Sequence, residues 1–265
     1  MIVLRATGRL FSPPLLTRAL DSLKMSSSLI NTNGGHTIAT NNNTVSIHQQ
    51  EALMNEMCII VNEQDLATGS RTKRDCHLMD NINKGLLHRA FSVLLFNKQD
   101  QFLLTRRASS KVTFPNYYTN ACCSHPLFTE LEKEEKDGLG VRRAAQRKLF
   151  QELGIDPNTI PIDDIKYITR ILYKSPSSKL WGEHELDYIL IVHRDVDLKP
   201  NPDEVSEAVF LKKDELRSYM EEKEKEGYPI SPWFKLIHDK FLYGYWDNLT
   251  KLDQFVDHKT IHKLI

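Results

Sequence analysis

Four groups of residues carry side chains that can do chemistry. The run Cys122-Cys123-Ser124-His125-Pro126 sets a thiol two residues from an imidazole. That spacing suits a metal ligand, a nucleophile or an acid/base group. No Cys-x-x-Cys pair occurs anywhere, so a structural zinc knuckle is not expected; two small buried hydrophobes are the other reading. His77 and His88 flank the polar turn residues 80–85. Neutral imidazoles take divalent metals well, although a single His is more often structural. In Trp181-Gly182-Glu183-His184-Glu185-Leu186-Asp187, a strand would put Glu183 and Glu185 on one face and His184 on the other. Paired carboxylates repel unless a cation or a shared proton relieves them. An exposed acidic edge is the alternative, and the apolar run 188–192 argues instead that the strand enters a core. Lys73, Arg74, Arg106, Arg107 and Lys111 flank the loops leading to these clusters, and Arg142, Arg143, Arg147 and Lys148 lie on one predicted helix. Ammonium groups and guanidinium forks suit a phosphate or diphosphate; solvated surface charge is the competing account.

These groups need elements to position them. Residues 49–57 can form a short helical turn, and 57–61 is an apolar, β-branched run that predicts a strand. Residues 90–96 and 101–106 flank the turn 97–100 and predict a β-hairpin. Apolar spacing from Gly140 to Leu153 predicts a helix capped by Gly154. Strands are predicted at 166–173, 184–192 and 209–211, and helices at 212–220 and 232–242, with 221–226 a solvated helix end. His77 is expected on an early loop. Strands and helices mix without βαβ alternation, which predicts an α/β domain of the α+β kind, a mixed sheet between helices.

Composition excludes several classes. Of 265 residues, 40% are hydrophobic and 26% charged, too apolar and too balanced for a disordered chain. Lys plus Arg number 35 and Asp plus Glu 35, so no global basic excess points to nucleic acid. No run of about eighteen apolar residues exists, so no membrane span is expected. Four Cys in this length do not make a disulfide framework and fit a reducing compartment. No heptad seam is visible, which predicts a monomer. Residues 1–47 differ from the rest. Arg5, Arg9, Arg18 and Lys24 are offset only by Asp21 up to residue 24, and a Ser/Asn/Thr/Gly linker follows. This predicts a leader of mitochondrial targeting type ahead of one domain at 48–265, with an untargeted tail or a start at Met25 as alternatives. Cytoplasm and peroxisome are the alternative compartments; the final Ile265 does not make a peroxisomal signal.

The helix carries one further pattern. Arg147-Lys148-Leu149-Phe150-Gln151-Glu152-Leu153-Gly154-Ile155 resembles the end of a Nudix box, REUXEEXGU, where U is aliphatic. Lys148 and Gln151 stand where the box has Glu, Leu139 fills the upstream Glu position and Lys133 the opening Gly position; Glu152 alone of that carboxylate set remains. Taken with His88-Arg89-Ala90-Phe91-Ser92, the run 113–126 and the run 181–189, the chain closely resembles the type I isopentenyl-diphosphate Δ-isomerases from about Met57 through residues 257–258.

The resemblance implies a Nudix-like mixed sheet between helices and a double-bond shift between isopentenyl and dimethylallyl diphosphate through a tertiary carbocation. It implies one divalent-metal site (Zn²⁺, Mn²⁺ or Mg²⁺) at His77, His88, His125, Glu183 and Glu185. A separate Mg²⁺ would bridge the substrate diphosphate, with Glu152 as its protein contact. Lys73, Arg107, Lys111 and Ser124 match substrate-binding positions, and Lys148 a basic diphosphate contact. Cys123 and Glu185 match the two acid/base groups, and Tyr173 a tyrosine assisting the Glu. Trp233 matches an aromatic facing the cation, where a π face contributes about 0.5–2 kcal/mol. Ordinary core packing also accounts for Tyr173 and Trp233. The N-terminal segment and the last helices are expected to close over the pocket, excluding water. Three other readings compete: a Nudix diphosphate hydrolase, which needs the missing carboxylates; a non-catalytic zinc module, which leaves the basic cluster unexplained; and an inactive paralogue, against which Cys123 and Glu185 speak.

Overall fold

The computed structural model describes residues 51–264. The expected leader, residues 1–47, and the domain start at residue 48 lie outside the described residues. Ten strands follow in chain order: β1 (Met57–Val61), β2 (Ala67–Thr72), β3 (His88–Phe96), β4 (Phe102–Arg107), β5 (Tyr118–Thr119), β6 (Cys122–Ser124), β7 (Lys166–Pro176), β8 (Gly182–His193), β9 (Val205–Leu211) and β10 (Ile261–Lys263). The helices used below are α1 (Lys73–His77), α2 (Met79–Ile82), α3 (Leu139–Leu153), α4 (Leu216–Lys225), α5 (Pro232–Ile237) and α6 (Tyr243–Trp246).

β3 is the centre of the sheet. All nine of its residues are buried, as expected for a strand apolar on both faces. It runs parallel to β8 along its whole length, from His88 opposite Glu185 to Phe96 opposite His193. β7 adds antiparallel to β8, and Tyr173 falls opposite Glu185. The other edge of β3 is divided. β1 meets it at His88, β6 along Phe91–Val93, and β4 only at Phe96.

That division corrects the hairpin expected for 90–96 and 101–106. The turn forms, with Asn97 Oδ1 accepting from the Gln99 and Gln101 amides. Beyond the pair Phe96–Phe102, however, β4 leaves β3 and pairs with β9. β6 fills the vacated edge and brings Cys123 opposite Ser92.

Side chains of the strands alternate between two cores. Phe91, Val93, Leu186 and Leu190 pack beneath Val141, Ala144, Ala145, Leu149 and Leu153 of α3. Leu94, Phe96, Ile189 and Ile191 pack on the other face against Trp233, Phe234, Ile237 and Trp246. The mixed sheet therefore lies between helices, as the sequence predicts. α3 ends where expected: Gly154 takes φ 66°, and its amide donates to Phe150 O.

Other expectations shift. His77 sits on α1, not on a loop, because Thr72 Oγ1 caps that helix by accepting from the Asp75 amide. The helix expected at 212–220 begins at Leu216, since residues 212–215 form a turn closed by the Lys212 amide on Glu215 Oε2. The helix from Pro232 widens to a π-helical turn at His238–Leu242 and continues to Trp246. β2 lacks apolar alternation, and no signal in its sequence predicts it. Among the described residues, no helix is long and apolar enough to cross a membrane.

Gly140 fixes the entry of α3. A Cβ there would stand 2.2 Å from Glu132 O and 2.9 Å from the Glu134 amide. Gly140→Ala is expected to cost roughly 1–3 kcal/mol, the range for overpacking. Urea unfolding at constant slope measures it.

Candidate active site

One cleft lies over the face that carries Trp233. Leu53, Met54, Lys73, His77, Arg107, Lys111, Cys123, Ser124, His125, Glu152, Tyr173, Glu183, Glu185 and Trp233 all line it. Twelve of the residues singled out from sequence are thus brought to one place. Of the residues that the resemblance marks for the site, His88 and Lys148 do not line it: His88 is fully buried within the His/Glu cluster, and Lys148 lies behind Glu152. Residues 51–54 form a helical turn whose Leu53 and Met54 enclose the cleft from one side while Trp233 does so from another.

At one end, His77, His88, His125, Glu183 and Glu185 offer ligand atoms that all lie within 4.8 Å of one another, and all five residues are buried. Strand alternation accounts for the carboxylates: Glu183 and Glu185 share a face of β8, while His184 points away and meets Leu86 O through Nδ1 at 2.9 Å. The register of β3 on β8 adds His88, β6 leads into His125, and α1 delivers His77.

The donor set fits a divalent cation. His77 Nδ1 is 2.6 Å from Lys73 O, so that nitrogen donates and Nε2 is left on the side of Glu183, whose Oε2 is 2.8 Å away. His88 has neither ring nitrogen in an aligned hydrogen bond, although Nε2 is 3.3 Å from Glu185 Oε1. His125 Nε2 is 2.7 Å from the same oxygen. Burial, with His88 and His77 alongside, holds His125 well below the ordinary histidine range, leaving it a neutral ligand. Burial alone would raise Glu185, but the neighbouring imidazoles of His88 and His77 and the Tyr173 hydroxyl outweigh it and draw the carboxyl to about 2. Three imidazoles and two carboxylates offer the nitrogen and oxygen donors that a divalent cation takes.

Across the cleft, Cys123 is held by four neighbours. Trp233 Nε1 donates to its Sγ at 2.9 Å, and Sγ donates to Asn120 Oδ1 at 3.0 Å. Ser92 Oγ and Thr119 Oγ1 lie at 3.5 and 3.6 Å. The Asn120 amide is oriented by Nδ2, which donates to Val93 O and Cys122 O. Burial and nearby Asp187 push the Cys123 thiol up to about 12, so it keeps its proton at neutral pH. Its neighbour Cys122 points into the opposite core, where the reading as a small buried hydrophobe holds. Tyr173 OH donates to Glu185 Oε2 at 2.5 Å; burial and that carboxylate hold the phenol protonated.

The cations divide. Lys73, Arg107 and Lys111 reach the cleft. Arg107 also holds the neighbouring loop, donating to Thr113 O and Phe114 O. Lys148 Nζ pairs with Glu152 Oε1 at 3.1 Å. Arg106 turns away beneath Tyr228 and Glu207, and Arg142, Arg143 and Arg147 bond Asp163, Leu131 O and Glu132. These four therefore serve the fold rather than the cleft, and Arg147 and Arg106 do so partly buried, not as the solvated surface charge that was the competing account. Sequence reasoning missed Asn120, Ser92, Asp187 and Glu204, because none stands out until the fold brings it to a thiol or a lysine.

A mixed sheet between helices, with the degraded box on α3 beside the cleft, defines a Nudix-type protein. The NUDIX domain family model matches residues 86–234. The chain is 50% identical over 216 residues to isopentenyl-diphosphate Delta-isomerase 1 of Bos taurus, covering 82% of this chain and 95% of that one. It is 46% identical over 259 residues to isopentenyl-diphosphate Delta-isomerase I of Clarkia breweri, covering 96% and 89%. It is 49% identical over 221 residues to the chloroplastic isopentenyl-diphosphate Delta-isomerase II of Arabidopsis thaliana, covering 82% and 78%. The chain belongs to the isopentenyl-diphosphate Delta-isomerase family.

The purified chain, loaded with a divalent ion and dialysed, is expected to retain a single ion at the five-residue cluster. His125→Ala and Glu183→Gln should each weaken retention by at least 10–100-fold, roughly the cost of losing even an outer partner. Elemental analysis against protein concentration measures it.

Proposed function

We propose that this chain interconverts isopentenyl and dimethylallyl diphosphate by adding a proton at one end of the alkene and removing another beside the resulting tertiary cation. The carrying observation is that Cys123 and Glu185 face one cleft, with the cations Lys73, Arg107 and Lys111 on its wall. Their backbone rows are four residues apart on β3, about 13 Å along the strand.

Each acid/base group has a proton at hand. Cys123 carries its own, and the Tyr173 hydroxyl presents one to Glu185. The sulfur accepts the Trp233 N–H, which would stabilise it when it gives its proton up. Burial keeps water from an allylic diphosphate that ionises easily. A divalent cation at the His/Glu cluster would hold Glu185 in place and lower its proton affinity. Lys73, Arg107, Lys111 and Ser124 would bind the diphosphate, and Glu152 would contact its Mg²⁺. Lys148 acts behind Glu152, as its counter-ion. The hydrolase alternative is disfavoured because a hydrolytic box needs carboxylates where Lys148, Gln151 and Leu139 stand.

Residues 1–47 are read as an organelle-targeting sequence. A fusion of that segment to a fluorescent protein identifies the compartment, and removal of residues 1–44 should leave turnover intact.

Incubated with isopentenyl diphosphate and Mg²⁺ in deuterated water, the chain is expected to place label in the dimethylallyl methyl group. Absence of conversion would refute the isomerase, and release of inorganic phosphate would favour the hydrolase. Cys123→Ser and Glu185→Gln should each lower kcat by ~10²–10⁴, the usual contribution of a positioned acid or base. The pH profile should report Lys111. Burial draws its ammonium down to about 8, with Glu204 opposing; it is cationic below that pH and neutral above. kcat/KM should therefore fall as pH rises through about 8. In Lys111→Arg, whose charge persists, that limb should vanish.

A further inference from the structure

Among the buried carboxylates that the chemistry above leaves unused, Glu204 meets a cation of the cleft. Glu204 lies on the turn that enters β9, with its side chain 3% exposed. Its Oε2 stands 2.5 Å from Lys111 Nζ, itself 9% exposed. The backbone of the same residue binds the same segment, since Glu204 O accepts from the Ala108 amide at 3.0 Å. One residue earlier, Asp203 O accepts from Ser110 Oγ. The segment that carries Lys111 is thus fastened at three points to one turn.

That turn is also joined to α3. The Asn201 amide donates to Glu152 O at 2.9 Å, and Asn201 O accepts from the amides of Glu204 and Val205. Lys148, on α3, is attracted by both Glu152 and Glu204. Four buried charges therefore alternate in the order Lys111, Glu204, Lys148, Glu152, from the cationic wall of the cleft to the carboxylate nearest it on α3. Burying an ammonium without a partner costs several kcal/mol. Long side chains freed of a partner also turn toward water. The cations Lys73 and Arg107 repel Lys111 from within the cleft, so the attraction holding it there comes from Glu204 and, more weakly, Glu152.

We propose that Glu204 is a positioning residue for diphosphate binding: it holds the Lys111 ammonium in the cleft and balances Lys148, so that Glu152 is left to face the ligand. This deepens the isomerase reading and rests on it for the identity of the ligand. Glu204 would not touch the reacting carbons. Its removal should act on binding and leave the proton transfers at Cys123 and Glu185 nearly unchanged.

The test uses inorganic diphosphate with Mg²⁺ as probe, so that it does not depend on turnover. Calorimetric titration of the full chain should show Glu204→Gln and Lys111→Gln each weakening the probe by at least tenfold. The double substitution should be little weaker than either alone, since both remove the same interaction. Glu204→Asp, which keeps the charge on a shorter stem, should recover part of the loss. With isopentenyl diphosphate, Glu204→Gln should raise KM at least tenfold and change kcat less than threefold. Wild-type affinity in Glu204→Gln, or losses that add in the double substitution, would overturn the proposal. A fall in kcat with KM unchanged would do so as well. If Glu204→Gln does not fold, Glu204→Asp is judged by the same titration, and wild-type affinity there overturns the proposal. A wild-type chain that binds the probe but does not isomerise refutes the enzyme reading and leaves this one to be decided by the titration.

Discussion

The site depends on one register, that of β3 lying parallel to β8. It sets His88 opposite Glu185 and, four residues on, Ser92 opposite Ile189 with Cys123 on its other side. Side chains alternate with a period of two, so a slip of one residue would turn His88 toward the α3 core and carry Leu94 and Phe96 out of their own core with it. The two apolar cores enforce the register. Leu94 and Phe96 already need Trp233, Phe234 and Trp246, while Phe91 and Val93 need α3. Packing energy on two faces thus places the metal donors and the thiol, though none of those polar groups selects the register.

Burying charges in one cleft is tolerable because they meet counterparts. Lys111 faces Glu204 and Lys148 faces Glu152, while Glu183 and Glu185 face the imidazoles of His77 and His125. A buried ion pair is weak as a source of stability, and breaking one member is costly. These pairs therefore fix geometry more than they stabilise the fold. The zero net charge of the chain hides a division of labour. Donors for a cation gather at the ends of β3 and β8, while cations for an anion gather on α1, β4 and the segment after it. A doubly charged headgroup bound near the second set would hold its hydrocarbon end between Cys123 and Glu185.

Much of this was legible in the sequence, and the limits have physical causes. Strand alternation was enough to put Glu183 and Glu185 on one face, and residue chemistry was enough to suspect Cys123. The helix of Leu139–Leu153 and its Gly154 cap followed from periodicity. The divided edge of β3 did not. It depends on which of three segments, β1, β4 or β6, wins each stretch of backbone, a contest between distant parts of the chain. Asn120 was hidden for a related reason: as a polar residue before two Cys it reads as a turn, until Val93 O and Cys122 O fix its amide. Glu204 was hidden among surface-like neighbours in Asn201-Pro202-Asp203-Glu204, since its partner lies ninety-three positions earlier.

The degraded box on α3 shows how a Nudix scaffold is adapted to chemistry without hydrolysis. A hydrolytic site must hold metals at several carboxylates and activate water beside them. Here a lysine takes one of those positions and turns its ammonium onto Glu152, 3.1 Å away. A fixed cation then occupies space where a further metal would compete for the same carboxylate. Gln151 removes another anion, and Phe150 faces outward at the surface. Glu152 is the one carboxylate left on this helix, and its ion pair with Lys148 weakens it as a base for water. The reactive groups have moved to the sheet, where β6 and β8 carry a thiol and a carboxylate into a cleft closed by Trp233 and Met54. A carbocation survives only where nucleophiles are excluded. Losing the box carboxylates therefore serves the proposed reaction alongside gaining Cys123, since fewer carboxylates on α3 can hold metal-bound water beside the cleft.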